Sequence, residues 1–206
     1  MGSCMVEKFK YYIDLNDDDI DLLLTLEESK EHYRAGQTIN KRDNDVKEIF
    51  IISEGWSVIS TKLDQNVRSV FDVKLNGDFV GMGEVSFPKH LYDLVALTDV
   101  VVCPFPKDHL DAIFKKSVKL SHAFYNVLSR EQAVLYERIA SLGRRTALEK
   151  VSHFIIELSV RKKMIGMCIE DSFAFPITQA DIGDLLGLSS IHVNRSMNEL
   201  KRHDYI

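Results

Sequence analysis

Residues 178–202 read TQADIGDLLGLSSIHVNRSMNELKR, and this stretch decides the fold of the C-terminal part of the chain. Thr178 followed by Asp181 is typical of a helix start, because each side chain can bond a backbone N–H of the other. Gly187 allows a tight turn at the end of that helix, and Ser189 is suited to cap the next one. The stretch therefore predicts a helix-turn-helix.

The spacing of apolar residues indicates which face of each helix is buried. The residues predicted to pack inwards are Ile182, Leu185 and Leu186 on the first helix and Val193, Met197 and Leu200 on the second. When such a motif binds DNA, its second helix enters the major groove with its first turns against the base edges. The residues predicted to contact DNA are Ser189, Ser190, Ile191, His192, Asn194 and Arg195, with Thr178 and Gln179 at the start of the first helix.

The side chains at these positions suit base recognition. Arg195 can donate two hydrogen bonds to guanine, Asn194 can pair with adenine, and Ile191 can pack on a thymine methyl group. Ser189 and His192 are placed to meet phosphates at the N-terminus of the second helix. The alternative is a helical hairpin that only packs against the rest of the protein. The combined spacing of caps, glycine and apolar residues favours DNA binding.

Between residues 32 and 105 the pattern changes to short segments that alternate between apolar and polar residues or are rich in β-branched residues. The predicted strands are residues 48–52, 56–60, 68–75 and 95–105. Many short strands at this spacing favour an antiparallel sandwich or barrel.

Residues 118–142 contain no Gly or Pro and predict one long helix, which Gly143 would end. Three leucines along it recur every seven residues, which is typical of a helix that pairs with a second copy of itself. The predicted dimer contacts are Phe124, Leu128, Glu131, Leu135, Arg138 and Leu142. The alternative is a helix that packs on its own domain.

The net charge of the 206-residue chain is −5, but its distribution matters more than its sum. Residues 1–143 carry a charge of −6 and residues 144–206 carry +1. A DNA-binding surface needs local positive charge rather than a basic chain, so this balance permits DNA binding. The sequence has no long apolar run and no signal-peptide pattern, and we expect a cytoplasmic protein.

The cysteines and histidines give no sign of a metal site. Cys4, Cys103 and Cys168 are far apart, lack zinc-ligand spacing and are too few for a four-cysteine iron–sulfur cluster. The histidines lack the clustered spacing that a metal-dependent oxygenase with a β-helix fold needs. We therefore expect no metal, no cofactor and no enzymatic activity.

The order of motifs along the chain resembles the cyclic-AMP receptor and fumarate-nitrate regulator (Crp/Fnr) family of transcription factors. The matching segments are the turns at 35–36 and 54–55, residues 77–81 and 96–100, the long helix and the helix-turn-helix. Residues 142–151 and 189–202 look like the alphaproteobacterial branch of that family.

The resemblance implies an α+β fold with three parts. They are a jelly-roll-like antiparallel β-roll sensor domain at 1–114, a dimerisation helix at 115–143 and a winged helix-turn-helix domain at 144–206. It also implies a homodimer that binds a two-fold symmetric DNA site and works with RNA polymerase. The chain stops where the family continues into the wing, so we expect a truncated or missing wing.

Two positions depart from the family pattern. Members that bind cyclic nucleotides use a Gly-Glu pair for the ribose and an Arg-Ser or Arg-Thr pair for the phosphate, whereas Met82 follows Gly81 here and no Arg occurs in residues 77–105. A buried phosphate needs a charged partner, so we predict no response to cyclic AMP. Ile191 replaces an acidic base reader, which predicts a different operator. The residues predicted to line an effector pocket are Met82, Glu84, His90 and Leu91.

Other functions remain as alternatives at this point. One is a β-roll that senses a ligand, or haem through a histidine such as His90. Another is a partner-binding protein whose helix-turn-helix does not read DNA.

Overall fold

The structure is a computed structural model that describes residues 2–64, 67–168 and 172–206. Its N-terminal half contains two short helices followed by eight strands. The helices are α1 (Cys4–Lys10) and α2 (Asp17–Leu24), and the strands are β1 (Glu31–Tyr33), β2 (Thr38–Asn40), β3 (Glu48–Glu54), β4 (Ser57–Asp64), β5 (Val67–Lys74), β6 (Phe79–Val80), β7 (Asp93–Ala96) and β8 (Val100–Pro106). They form two antiparallel four-stranded sheets, in the orders β1-β8-β3-β6 and β2-β7-β4-β5.

The alternation of side chains along the strands gives the first sheet two buried faces. Phe50 and Ile52 point towards the second sheet and share a core with Leu94. Ile49 and Ile51 point the other way, into a core that includes Phe9 of α1 and Phe124. The N-terminal half is therefore a β-roll with helices against one side.

The predicted strand at 95–105 is divided into two strands, β7 and β8. The backbone N–H groups of Leu97 and Thr98 donate to the Trp56 carbonyl oxygen, at 2.8 and 3.3 Å, and turn the chain between them. The apolar pattern runs through this turn without a break, which is why the pattern alone predicted one strand.

Five helices complete the chain: α3 (Asp108–Lys116), α4 (Val118–Arg144), α5 (Ala147–Met164), α6 (Gln179–Leu186) and α7 (Ser190–Arg202). Gly143 does not end α4, because the helix continues to Arg144. The chain leaves the helix at Arg145, whose φ of −85° and ψ of 150° need no glycine. No helix of the described residues has both the length and the apolar character needed to cross a membrane. The predicted β-roll, long helix and C-terminal helix-turn-helix are confirmed.

Candidate DNA interface and its supports

The first helix of the motif, α6, begins and ends as its sequence predicts. The Thr178 hydroxyl accepts the Asp181 backbone N–H at 3.1 Å and donates to the Asp181 carboxylate at 2.6 Å. Gly187, with φ of +62°, ends the helix in the left-handed region. Leu142 of α4 lies beside this turn, 4.0 Å from where a Cβ of Gly187 would be. The turn of the motif therefore touches the end of the long helix.

Gly183, inside α6, is a structurally required glycine that the sequence did not indicate. A Cβ there would lie 2.6 Å from the Leu188 carbonyl oxygen, a backbone atom that cannot move alone. The close approach lets α7 cross α6 directly after the turn. A glycine in a helix is an ambiguous signal in a sequence, because the residue that it must avoid comes from the next element.

We expect Gly183→Ala to lower the free energy of unfolding by about 1–3 kcal/mol, since α6 and the 187–189 turn must separate to admit the methyl group. Urea unfolding measures the change. Gly83→Ala is the matched control, because a Cβ at Gly83 has no neighbour within 4 Å among the described residues. Equal stability of the two variants would contradict the prediction.

The second helix, α7, presents its first turns to solvent. The Ser189 hydroxyl accepts the His192 backbone N–H at 3.3 Å and caps the helix. The inward residues Val193, Ser196 and Leu200 are buried. The residues predicted to contact DNA are all exposed: Ser189, Ser190, Ile191, His192, Asn194 and Arg195 on the second helix, and Thr178 and Gln179 on the first.

Two features prepare this surface for polar recognition. The Asn198 side-chain amide donates to Asn194 Oδ1 at 2.8 Å, which orients the Asn194 amide. Arg195 forms no ion pair with any residue in the described ranges, so its guanidinium is free to meet an acceptor. Ile191 is 80% exposed, so its side chain is accessible for an apolar contact.

The second sheet of the β-roll supports the helix-turn-helix through an apolar contact. Trp56 is buried against Phe173 and Phe175, with ring centroids 6.4 and 6.5 Å away, and Lys162 Nζ lies 4.8 Å from the Trp56 ring centre. Arg68 of β5 adds ion pairs to Asp181 and Asp184 of α6. None of these contacts was predicted from the sequence.

A second support is a buried cluster of ion pairs between the β-roll, α4 and α5. Arg138 of α4 makes a two-pronged contact with Glu157 of α5, at 2.9 and 2.5 Å, and a 2.8 Å contact with Asp72 of β5. Arg161 of α5 contacts Asp78, in the turn before β6, at 2.5 Å. We call Arg138, Glu157, Asp72, Arg161 and Asp78 the hinge cluster.

Neighbouring cations keep the aspartates of the hinge cluster ionised. Burial raises the pKa of Asp72, but Arg138 and Lys74 more than offset this and lower it well below its ordinary value. Burial also raises the pKa of Asp78, and Lys8 and Arg161 lower it in the same way. Both carboxylates are therefore charged at neutral pH.

Most of the residues predicted as dimer contacts of α4 pack within their own chain. Phe124 is buried in the β-roll core and Leu128 packs against that core. Glu131 contacts Lys74 at 3.3 Å and Arg138 is only 7% exposed in the hinge cluster, so both are engaged within their own chain. Leu135 and Leu142 are part of the exposed surface. A seven-residue repeat marks one face of a helix, and here most of that face packs on its own chain.

The predicted effector residues lie beside a cavity of about 380 Å³ between the β-roll, α4 and α5. Met82, Glu84 and Leu91 line this cavity. His90 does not line it and instead lines a second cavity. Glu84 is already engaged: one carboxylate oxygen contacts His90 Nδ1 at 2.8 Å and the other accepts the Leu91 backbone N–H at 2.7 Å. Arg130 of α4 also lines the larger cavity and forms no ion pair within the described part of the chain.

Comparison with known proteins agrees with this architecture. Residues 30–117 match the cyclic nucleotide-binding domain and residues 149–206 match the Crp-like helix-turn-helix domain. The fumarate and nitrate reduction regulatory protein of Vibrio cholerae is 25% identical over 203 residues, covering 98% of this chain and 81% of the relative. Its counterpart in Escherichia coli K12 is 26% identical over 199 residues, with coverage of 97% and 79%.

Solved structures show the same fold. FixK2 from Bradyrhizobium japonicum superposes with a TM-score of 0.75 at 24% identity, over 85% of each chain. The c-di-GMP-responsive regulator CLP of Xanthomonas campestris superposes with a TM-score of 0.68 at 15% identity, over 92% of this chain and 93% of that one. With both domain matches in the order that the family has, and similarity to its regulators over nearly the whole length, the chain belongs to the Crp/Fnr family of DNA-binding transcription regulators.

Proposed function

We propose that this regulator acts as a homodimer whose two α7 helices read the halves of a two-fold symmetric DNA site. The observation that carries the proposal is the division of α7 into two faces. Val193 and Leu200 anchor the helix, while Asn194 and Arg195 project from its first turns into solvent. This is the arrangement that a recognition helix needs to bring side chains to base edges.

Each residue of the interface has a proposed role. Arg195 would donate to guanine O6 and N7, Asn194 would pair with adenine, and Ile191 would cover a thymine methyl group. The proposed phosphate contacts lie at helix N-termini, where backbone N–H groups and the helix dipole favour phosphates: Ser189 and His192 at α7, with Ser190 between them, and Thr178 and Gln179 at α6.

Selection of bound DNA from a random pool tests this function directly. We expect a symmetric motif with two half-sites about one helical turn apart. A protein that enriches no motif, yet is folded, would favour the alternative in which the helix-turn-helix binds only a protein partner.

The face of α4 that we propose for dimerisation lies beside the predicted dimer contacts. Tyr125, Tyr136 and Ile139 are 71%, 62% and 65% exposed. Together with the exposed positions His122, Ser129, Gln132 and Gly143 they recur at alternating intervals of three and four residues, the spacing of a helix that pairs with a parallel copy. Leu135 and Leu142 stand at the edge of this face, so the occupant that fits it is a second copy of the chain.

Ile139→Glu is expected to shift the protein towards monomer, because it places two like charges in the middle of this face. Sedimentation velocity measures the change. Ala133→Glu is the matched control on the same helix, since Ala133 is exposed and stands at the edge of the face, where paired helices commonly carry Glu or Lys. A variant that stays dimeric to the same extent as the control would refute the proposed face.

We also propose that cyclic AMP is not the signal. Both carboxylate oxygens of Glu84 are already in contact with residues 90–91 of the same chain. In addition, no Arg occurs in residues 77–105 to bind a phosphate. Titration calorimetry with cyclic AMP up to about 1 mM is expected to show no binding. Micromolar affinity would contradict the proposal, and Arg130→Gln would then test whether Arg130 supplies the missing charge.

The remaining parts of the proposal follow the family. We propose a sensor domain at 1–114, a dimerisation helix at 115–143, a DNA-binding domain at 144–206, a cytoplasmic location and contact with RNA polymerase. The family consists of transcription regulators, and the proposal includes no catalysis, metal or cofactor.

A further inference from the structure

The hinge cluster lies where α4 leads into the DNA-binding region. Only residues 145–146 separate α4 from α5, and both have extended rather than helical dihedral angles, so the angle between the helices depends on these two residues and on contacts between the helices. The guanidinium of Arg138 spans the two helices, and it also donates to the Phe71 carbonyl oxygen at 2.9 Å. Because guanidinium is planar, its contacts with Glu157, Asp72 and the Phe71 carbonyl oxygen restrict direction as well as distance.

The helices beyond the hinge pack on α5. Phe154 and Leu158 of α5 share one apolar core with Val193 and Leu200 of α7. The same core includes Trp56 and neighbouring residues of the second sheet of the β-roll, so the position of these helices depends on both α5 and the β-roll. A change in the direction of α5 therefore shifts the recognition surface of α7.

We propose that Arg138 is a positioning residue for DNA recognition: its contacts with Glu157 and Asp72 set the direction of α7 relative to α4. The inference rests on the proposed homodimer. In a dimer held together along α4, the direction of each α7 fixes the distance between the two recognition helices. Arg138 then determines which spacing of half-sites the protein accepts.

Arg138 is not the sole anchor of the DNA-binding region. Arg161 reaches Asp78 and the Val73 carbonyl oxygen, at 2.5 and 2.7 Å, without help from Arg138. The contact of Trp56 with Phe173 and Phe175 is likewise independent of it. Loss of the Arg138 contacts should therefore loosen the angle while the two regions stay in contact.

The test uses the full chain and the symmetric site selected by the unaltered protein. Affinity is measured by fluorescence anisotropy for that site, for the same site with one or two base pairs added or removed between the halves, and for a single half-site. The variants are Arg138→Gln and the neutral combination Asp72→Asn, Arg138→Met and Glu157→Gln, which removes the charges together. Arg34→Gln is the control, at an exposed arginine that has no ion pair among the residues the structure describes.

The unaltered protein and the control should lose at least about 10-fold in affinity when the spacer changes, and the two variants at most about 3-fold. Half-site affinity should stay the same in all four proteins, because the base-contacting residues are unchanged. Those results together support the proposal.

Folded variants that keep the full spacer dependence would overturn it. So would failure of both variants to fold, since Arg138 would then act on stability rather than position. A protein that selects a symmetric site but tolerates every spacer overturns this inference alone, whereas a protein that selects no symmetric site removes the proposed function and this inference with it.

Discussion

Arg195→Ala is expected to weaken binding to the selected symmetric site by roughly 30-fold to 10⁴-fold. A two-pronged contact between arginine and guanine contributes about 1–3 kcal/mol of discrimination, and a homodimer presents it twice. Arg195 is exposed and has no ion pair with another described residue, so its removal leaves no buried charge and the fold should be unaffected. Anisotropy with labelled DNA gives the affinity, and circular dichroism checks the fold.

The matched control for this experiment is Arg202→Ala, at the last residue of the same helix. Arg202 is exposed and two turns away from Arg195, so its loss should weaken all DNA sequences alike and only a few-fold. Arg195→Ala should in addition relax the preference at one base position of each half-site. Equal losses for the selected site and random DNA would show that Arg195 meets only phosphate.

Asp78→Ala is expected to lower the free energy of unfolding by about 3–5 kcal/mol. The Asp78 carboxylate contacts Lys8 at 2.7 Å and Arg161 at 2.5 Å, and it accepts the Leu75 backbone N–H at 2.8 Å. Its loss leaves two cations in the interior without their main partner. Urea unfolding measures the effect, with Asp14→Ala, at an exposed carboxylate, as the control.

The difference in the free energy of unfolding between the unaltered protein and Asp78→Ala should depend on pH. Lys8 and Arg161 lower the pKa of Asp78 against the opposing effect of burial. A carboxylate with a lowered pKa in the folded state stabilises the fold above its unfolded pKa of about 3.9, and the stabilisation is lost as the pH falls below it. The gap between the unaltered protein and Asp78→Ala should be complete at neutral pH and shrink below about pH 4. A gap that is constant down to about pH 3 would show that the charge of Asp78 contributes little.

The helix-turn-helix could be predicted from the sequence because its signals are local. Thr178 and Asp181 cap one helix within three residues, and Ser189 caps the next. Gly187 has the positive φ that its position in the pattern implies. Such signals depend on neighbours in the chain, and a single sequence contains them all.

The packing of α4 on the β-roll and the contacts of the hinge cluster involve residues far apart in the chain. Arg138 contacts Asp72 and Glu157, which are 66 and 19 residues away in the sequence, and no sequence periodicity predicts such contacts. The leucine repeat of α4 follows a packing face only at its start, because Leu128 packs against the β-roll core whereas Leu135 and Leu142 are exposed. The repeat alone does not distinguish packing on a second chain from packing on the β-roll, because the hydrophobic effect is non-directional.

Trp56 is the only tryptophan in the sequence, and it sits at the contact between the β-roll and the DNA-binding region, 5% exposed beneath Lys162. Its indole emission therefore reports on this single boundary without any added label. If the two regions part when an effector or DNA binds, the indole meets water and the emission maximum moves to longer wavelength. If the two regions stay in contact, the emission spectrum is unchanged through the same titration. Trp56 fluorescence therefore measures domain movement directly.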